Sequence, residues 1–295
     1  MDVKLKNINS VSLHSLEDGR RLIKKNYLFI KNFLTNKEIS ELLDYFENCE
    51  LSHNKTKPNY LYVTPEKSRE ISETIRNIIH HRFSQFFSSG NLLGGVFMVK
   101  DSGLEKEVDF HQDWSLVDEN HFSSYNLWCP LTDATDNDGA LMLLKNSHLA
   151  GLPFRSASLS PLEVKYHEKY KPYIIPFNFK AGDALLYNHN MFHGSNNNLS
   201  KNKRIAIACG IIPEAANFVY KHWNEKTNSV DSYKVDKEFY ITHIHEVLAG
   251  KIPDKYVVVA SQEYSSKPEI SEEEFFNKLQ KHNPSFLKKI TSIFQ

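Results

Sequence analysis

Between Gly95 and Ile212 the chain reads GVFMVK (95–100), VDFHQDWSLV (108–117), YNLWCPLTD (125–133), ALMLLK (140–145), YIIPFNFK (173–180), DALLYNH (183–189) and RIAIACGII (204–212). Each run is short and rich in β-branched and aromatic residues. Turn residues such as DNDG (136–139) and KAGD (180–183) separate them. Seven or eight strands in about 120 residues predict a double-sheet barrel of the jelly-roll kind. The expected fold class is mainly β with flanking helices.

Upstream, NYLFIKNF (26–33) reads as a short strand, and TNKEISELLDYFEN (35–48) as a helix. Thr35 caps that helix and Glu38, three residues on, completes a capping box. Ile39, Leu42, Leu43 and Phe46 follow at helical spacing. A second helix is predicted over residues 68–87, with Ile71, Ile75, Ile78, Ile79 and Phe83 on one face. Residues 1–26 are polar and read as an N-terminal extension. Downstream, residues 214–295 are more polar, with helical stretches at EFYITHIHEVLAG (238–250) and SEEEFFNKLQKH (271–282). The whole is read as one domain: helical flank 27–90, jelly-roll core 91–213 and C-terminal elaboration 214–295.

Lys plus Arg and Asp plus Glu both number 36 in 295 residues, so net charge is zero and nothing calls for a nucleic-acid or anionic-membrane partner. Cys49, Cys129 and Cys209 are far apart and form no CxxC pair, which indicates neither a disulfide framework nor a zinc site. A reducing, cytoplasmic location is expected. The first residues hold no apolar core of signal-peptide length, and no apolar run approaches a membrane span.

Chemistry concentrates in VDFHQDWS. On a strand, residues i and i+2 share a face, so His111 and Asp113 project together as an imidazole and a carboxylate. That is two-thirds of a 2-His-1-carboxylate facial triad, which leaves open positions on Fe(II). With 14 His and 14 Asp in the chain, an HxD pair is near what chance supplies. The downstream stretch KAGDALLYNHNMFHGSNNNLSKNKRIAIACG gives it weight. His193 supplies a second imidazole from a remote strand. Arg204 opens the next strand, eleven residues on, where a guanidinium can take the distal carboxylate of a dicarboxylate through a two-pronged contact. Only seven arginines occur in the chain, and Ser195 is a second donor to the same carboxylate.

Here the sequence resembles the phytanoyl-CoA dioxygenase family of Fe(II)/2-oxoglutarate oxygenases, from about Asn26 to Pro213. The resemblance rests on NYLFIKNFLTNKEI, HQDWS, LWCPLTDATDNDGALMLLKNSH and AGDALLYNHNMFHGSNNNLSKNKR, in the family's order and spacing. One departure is Lys145-Asn146-Ser147-His148, where the family has Pro-Gly-Ser-His. The resemblance implies a jelly-roll barrel and iron at His111, Asp113 and His193. It also implies 2-oxoglutarate against Arg204, Ser195 and Trp128, with Asn126 on the Trp128 face. O2 is the third reactant. The implied reaction is hydroxylation of an unactivated C–H bond with release of succinate and CO2. A carboxylate at Asp113 favours hydroxylation over halogenation, since related halogenating enzymes carry a small residue there; desaturation and ring closure stay open. A free amino acid or secondary-metabolite intermediate is the favoured substrate. An acyl-CoA substrate, and a catalytically silent binding protein of the same fold, stay open.

Other residues admit blander readings. His189 and His193 are four apart, but Glu does not follow His189, so the metalloprotease pattern fails. The surrounding ALLYNHNMF (184–192) reads as strand, where His189 shares the His193 face. His243 and His245 fall in a helical stretch where i and i+2 diverge, and His80-His81 lies on a predicted helix. Phe97, Phe110, Trp114 and Tyr187 border the site and serve either as core or as substrate-pocket walls. Tyr60 and Tyr62 carry the same ambiguity.

Overall fold

The computed structural model describes residues 9–49, 63–103, 107–159, 162–165 and 168–284; Tyr60 and Tyr62 lie outside them. The chain begins with β1 (Ser12–Leu13), α1 (Leu16–Lys25), β2 (Tyr27–Ile30), α2 (Asn36–Asn48) and α3 (Pro65–Phe86). Next come β3 (Phe87–Ser89), β4 (Asn91–Lys100), β5 (Val108–His111), β6 (Tyr125–Pro130) and β7 (Leu141–Leu144). They are followed by β8 (Ile174–Ile175), β9 (Ala184–Asn188), β10 (His193–Ser195) and β11 (Arg204–Ile212). Last are β12 (Phe218–Asn224), β13 (Ser229–Val235), α4 (Lys237–Thr242), α5 (Ile244–Leu248), β14 (Val257–Glu263) and α6 (Glu272–Lys281).

Local chemistry sets the helix starts. The Glu38 carboxylate accepts from the Thr35 amide at 2.7 Å, closing the expected capping box. α3 starts earlier than residue 68, because Thr64 caps it and Pro65 occupies its first turn. α1 falls in the stretch read as an extension. Ser15 caps it and Asn26 ends it in the left-handed conformation, and Leu22 is its one buried residue. Its sequence, LEDGRRLIKK, is mostly charged, which is why it read as part of a polar extension.

Two sheets form the jelly roll. One has five strands in the order β2-β9-β6-β11-β4, and the other four, β5-β10-β7-β8. Strand parity assigns each side chain to a layer. Trp128, Leu185, Tyr187, Ala206 and Ala208 of the first sheet pack with Leu141 and Leu143 of the second, so the sheets face each other across one core. Leu127, Cys129, Leu186, Ile205 and Ile207 point the other way, onto Leu42, Phe46, Ile71 and Ile75 of α2 and α3. Phe110, Met142, Leu144 and Phe192 cover the outer face of the second sheet with Phe275 and Leu279 of α6. Sheets covered on both faces explain why β7, β9 and β11 read as near-continuous apolar runs.

The C-terminal part holds a third sheet, β12-β13-β14, that the sequence reading did not anticipate. Its strands mix charged and apolar residues, as in FVYKHWN and SVDSYKV, and hide the period-2 signal. α4 is tied to α3 by Arg69, whose Nε and Nη2 donate to Glu238 at 3.0 and 2.9 Å. The Ser68 hydroxyl donates to the Ile241 carbonyl at 2.9 Å. Among the described residues, no helix is long and apolar enough to cross a membrane.

Candidate metal centre

β10 pairs with β5 so that His193 lies opposite His111. The imidazole rings are 4.4 Å apart. One ligand atom each from His111, Asp113 and His193 falls within 4.8 Å of the others, the one such grouping among the described residues. Both histidines are oriented alike. His111 Nδ1 lies 2.8 Å from the Asp109 carbonyl, and His193 Nδ1 lies 3.0 Å from the Met191 carbonyl. A carbonyl only accepts, so each Nδ1 carries the proton and each Nε2 keeps its lone pair for a metal. Burial lowers His193 to about 4, which keeps it neutral near pH 7. Burial opposes ionisation of Asp113, but neighbouring His193, His189 and His111 and the Asn126 amide outweigh it and hold the carboxyl below its ordinary range. Two imidazoles with hydrogen-bonded Nδ1 atoms and one carboxylate suit a divalent iron ion.

β5 ends at His111, so Asp113 does not sit on the strand that the i, i+2 argument assumed. Its amide instead donates to the His189 carbonyl at 3.0 Å. β9 likewise ends at Asn188, and a turn through residues 189–192 precedes β10. The reading of ALLYNHNMF as one strand is therefore corrected. Asn188 closes that turn through its side chain, which accepts from the Asn190 amide at 3.1 Å. His189 is buried, bonds Ser124 Oγ at 2.9 Å through Nδ1, and lines the cavity beside Asp113.

A second group lies along the same strands. Lys100 and Arg204 are register partners on β4 and β11, and both side chains are buried. Lys100 Nζ donates to Ser195 Oγ at 2.8 Å and to the Asn196 carbonyl. Arg204 Nη1 donates to the Gly139 carbonyl at 2.9 Å, and its guanidinium lies 5.5 Å from the Trp128 ring centre. Among the described residues neither cation has a carboxylate partner, and Arg204 Nε and Trp128 Nε1 have no hydrogen-bond acceptor. Burial and the Arg204 charge push Lys100 down to about 7. The Glu107 charge only partly offsets this, and two adjacent buried cations with no carboxylate in contact are costly unless an anion joins them. Ser195 stands two residues from His193 on β10, a rise of about 6.6 Å, near the reach of a five-carbon dicarboxylate. These donors fit 2-oxoglutarate. Lys100 escaped the sequence reading because it ends an otherwise apolar strand, where lysine reads as a solvated terminus. Its parity with Val96 and Met98 was the available signal.

On the other side of the ligands a cavity of about 330 Å³ is bounded by His111, Asp113, Trp114 and Asn126, with Tyr240 and Ile244 from α4 and α5. Asn126 thus works beside Asp113, its Nδ2 3.4 Å from Oδ2, and away from Arg204. Tyr187 packs its ring 4.8 Å from His193. Two aromatic expectations are corrected by strand parity. Phe97 points out of the sandwich onto Phe46, at 5.1 Å, and Phe110 faces the layer closed by α6. Of the other histidines, His243 pairs with Glu246 through Nδ1 at 2.7 Å.

The phytanoyl-CoA dioxygenase model matches residues 25–206, and the chain belongs to that family. It is by class a non-haem iron, 2-oxoglutarate-dependent dioxygenase. It is 24% identical over 218 residues to the phytanoyl-CoA dioxygenase domain-containing protein 1 homolog of Dictyostelium discoideum, spanning 71% of this chain and 68% of that one. Against phytanoyl-CoA dioxygenase 1 of Oryza sativa subsp. japonica it is 26% identical over 140 residues, 46% of this chain and half of the rice protein. A crystal structure of the epimerase SnoN, in complex with Fe3+, alpha ketoglutarate and nogalamycin RO, superposes with a TM-score of 0.50 at 14% identity. That superposition covers 68% of this chain and 84% of SnoN, and it shows the shared jelly-roll fold.

Proposed function

We propose that this enzyme hydroxylates an unactivated C–H bond of a small free organic molecule, an amino acid or secondary-metabolite intermediate, and releases succinate and CO2. His111, Asp113 and His193 hold the iron. Arg204 and Lys100 bind the distal carboxylate of 2-oxoglutarate, with the Ser195 hydroxyl and the Trp128 indole N–H as further donors. The observation that carries this reading is a pair of buried cations with no carboxylate in contact, one of them bonded to Ser195, two residues from His193 of the three metal-type ligands. Iron with 2-oxoglutarate and O2 supplies the oxidising power: one oxygen atom enters succinate as CO2 leaves, and the other enters the substrate.

The chain's own contribution is placement. The Asp109 and Met191 carbonyls hold both imidazoles in the ligating tautomer. Ser195 and Lys100 are fixed against each other, so the co-substrate is held at one distance from His193. Trp114, Tyr240 and Ile244 wall the facing cavity, where a substrate would lie beside His111 and Asp113. The cavity's size suits a small molecule, and its described lining includes no Lys or Arg to meet a nucleotide phosphate. These features favour a free substrate over a CoA thioester.

Anaerobic addition of Fe(II) and then 2-oxoglutarate should produce a weak visible charge-transfer band. Absence of the band with folded protein rules out the oxygenase reading. Succinate release across a panel of free amino acids, metabolite scaffolds and acyl-CoA esters then tests the substrate class. Turnover of the CoA esters alone would reverse that assignment.

A further inference from the structure

Two of the seven arginines are buried, and the co-substrate pocket accounts for only one of them, Arg204. The other, Arg155, is 1% exposed and lies in a strap, residues 151–159 and 162–165, that runs alongside the metal-ligand segment. The strap is bonded to that segment repeatedly. Phe110 and Val164 exchange amide–carbonyl bonds at 2.9 and 2.8 Å. The Leu152 amide donates to Gln112 Oε1 at 3.3 Å, and the Ser115 amide donates to the Arg155 carbonyl at 3.0 Å. At the centre, Arg155 Nε donates to the backbone carbonyl of Asp113 at 2.8 Å. Its two terminal nitrogens donate to both oxygens of Glu119 at 2.5 and 2.8 Å.

Asp113 needs such support because it lies beyond the end of β5. No ladder fixes its backbone, which hangs on its amide bond to His189 and its carbonyl bond to Arg155. A guanidinium is rigid and planar, and Glu119 occupies both of its outer nitrogens. The remaining Nε–H therefore points in one direction, at the Asp113 carbonyl. We infer that Arg155, locked by Glu119, is a positioning residue that aims the Asp113 carboxylate at the metal. The inference rests on the reading of Asp113 as a ligand.

Calorimetric titration with Ni(II), which two imidazoles still retain, tests it in four proteins: the parent, Asp113→Ala, the pair Arg155→Met/Glu119→Gln, and all three changes together. The pair removes both charges, so no lone buried ion is left. Nickel affinity should fall about 10–100-fold in the pair, the size expected when a group orienting a ligand is lost. In the Asp113→Ala background the same pair should change affinity less than about twofold, because its effect acts through Asp113. No loss in the parent background, or an equal loss in both backgrounds, overturns the inference. If the pair fails to fold, Arg155→Lys serves in the same cycle, since one ammonium cannot reproduce the three fixed bonds. Should the parent fail to bind nickel, or Asp113→Ala bind it as tightly, the metal reading itself falls. That outcome is distinct from an intact centre indifferent to Arg155.

Discussion

The two ends of the polar seam between the sheets balance charge in opposite ways. At the metal end, every donor is answered within the chain. Both imidazole Nδ1 atoms meet carbonyls, burial keeps His193 neutral, and the Asp113 carboxyl is held below its ordinary range. At the other end, Lys100 and Arg204 lie side by side with carbonyl and hydroxyl acceptors only. In the proposed reading one end is the metal-ligand set and the other an anion hole, and β10 joins them through His193 and Ser195. On that reading β10 contributes one residue to each task, His193 to the metal and Ser195 to the dicarboxylate.

The largest effect should come from the metal end. His111→Ala is expected to abolish succinate release and the charge-transfer band together; persistent turnover would show the triad to be misassigned. Next comes the cation end. Arg204→Met should raise the apparent KM for 2-oxoglutarate on the order of 10–100-fold, as for loss of a charge-assisted pair. Nickel binding should stay near the parent value, which would separate the two ends. If nickel binding falls in parallel, the ends are not independent. Lys100→Met should cost about tenfold. It should also remove a pH dependence, because the Lys100 ammonium, pushed down to about 7, is lost as pH rises. Affinity of the parent for 2-oxoglutarate is therefore expected to be highest below pH 7 and to fall above it, measured by equilibrium titration with Mn(II). A flat parent profile would remove Lys100 from the anion hole.

The smallest effect tests the joint. A Cβ on Gly194 would stand 2.6 Å from the Val108 carbonyl, so Gly194→Ala must push β5 away from β10. Destabilisation of about 1–3 kcal/mol is expected from such overpacking, read by urea unfolding. Unchanged stability would show that the joint yields more easily than this close contact implies.

Much of the jelly roll was legible because its strands are buried on both faces and keep β-rich composition between turn signals. The capping box at Thr35 and Glu38 was readable for a local reason, since both partners lie within one helical turn. The β12-β13-β14 sheet was not, because its strands carry Lys, His and Asp on partly exposed faces. Phe97 and Phe110 misled because neighbouring strand residues face opposite layers. Composition names an aromatic residue, but only the sheet's parity says which layer receives it.

The site's chemistry was legible in residue types and their order: an HxD pair, a distant His-Gly-Ser and a rare arginine at a strand start together resemble a family that uses iron and a dicarboxylate. The tertiary structure decided what surrounds them. It brought Lys100 beside Arg204 through strand register, ended β5 before Asp113, and laid Arg155 across the gap. The reason is physical: ligand identity resides in single side chains, whereas burial, register and the partner of a buried charge arise only when segments distant in the chain pack together.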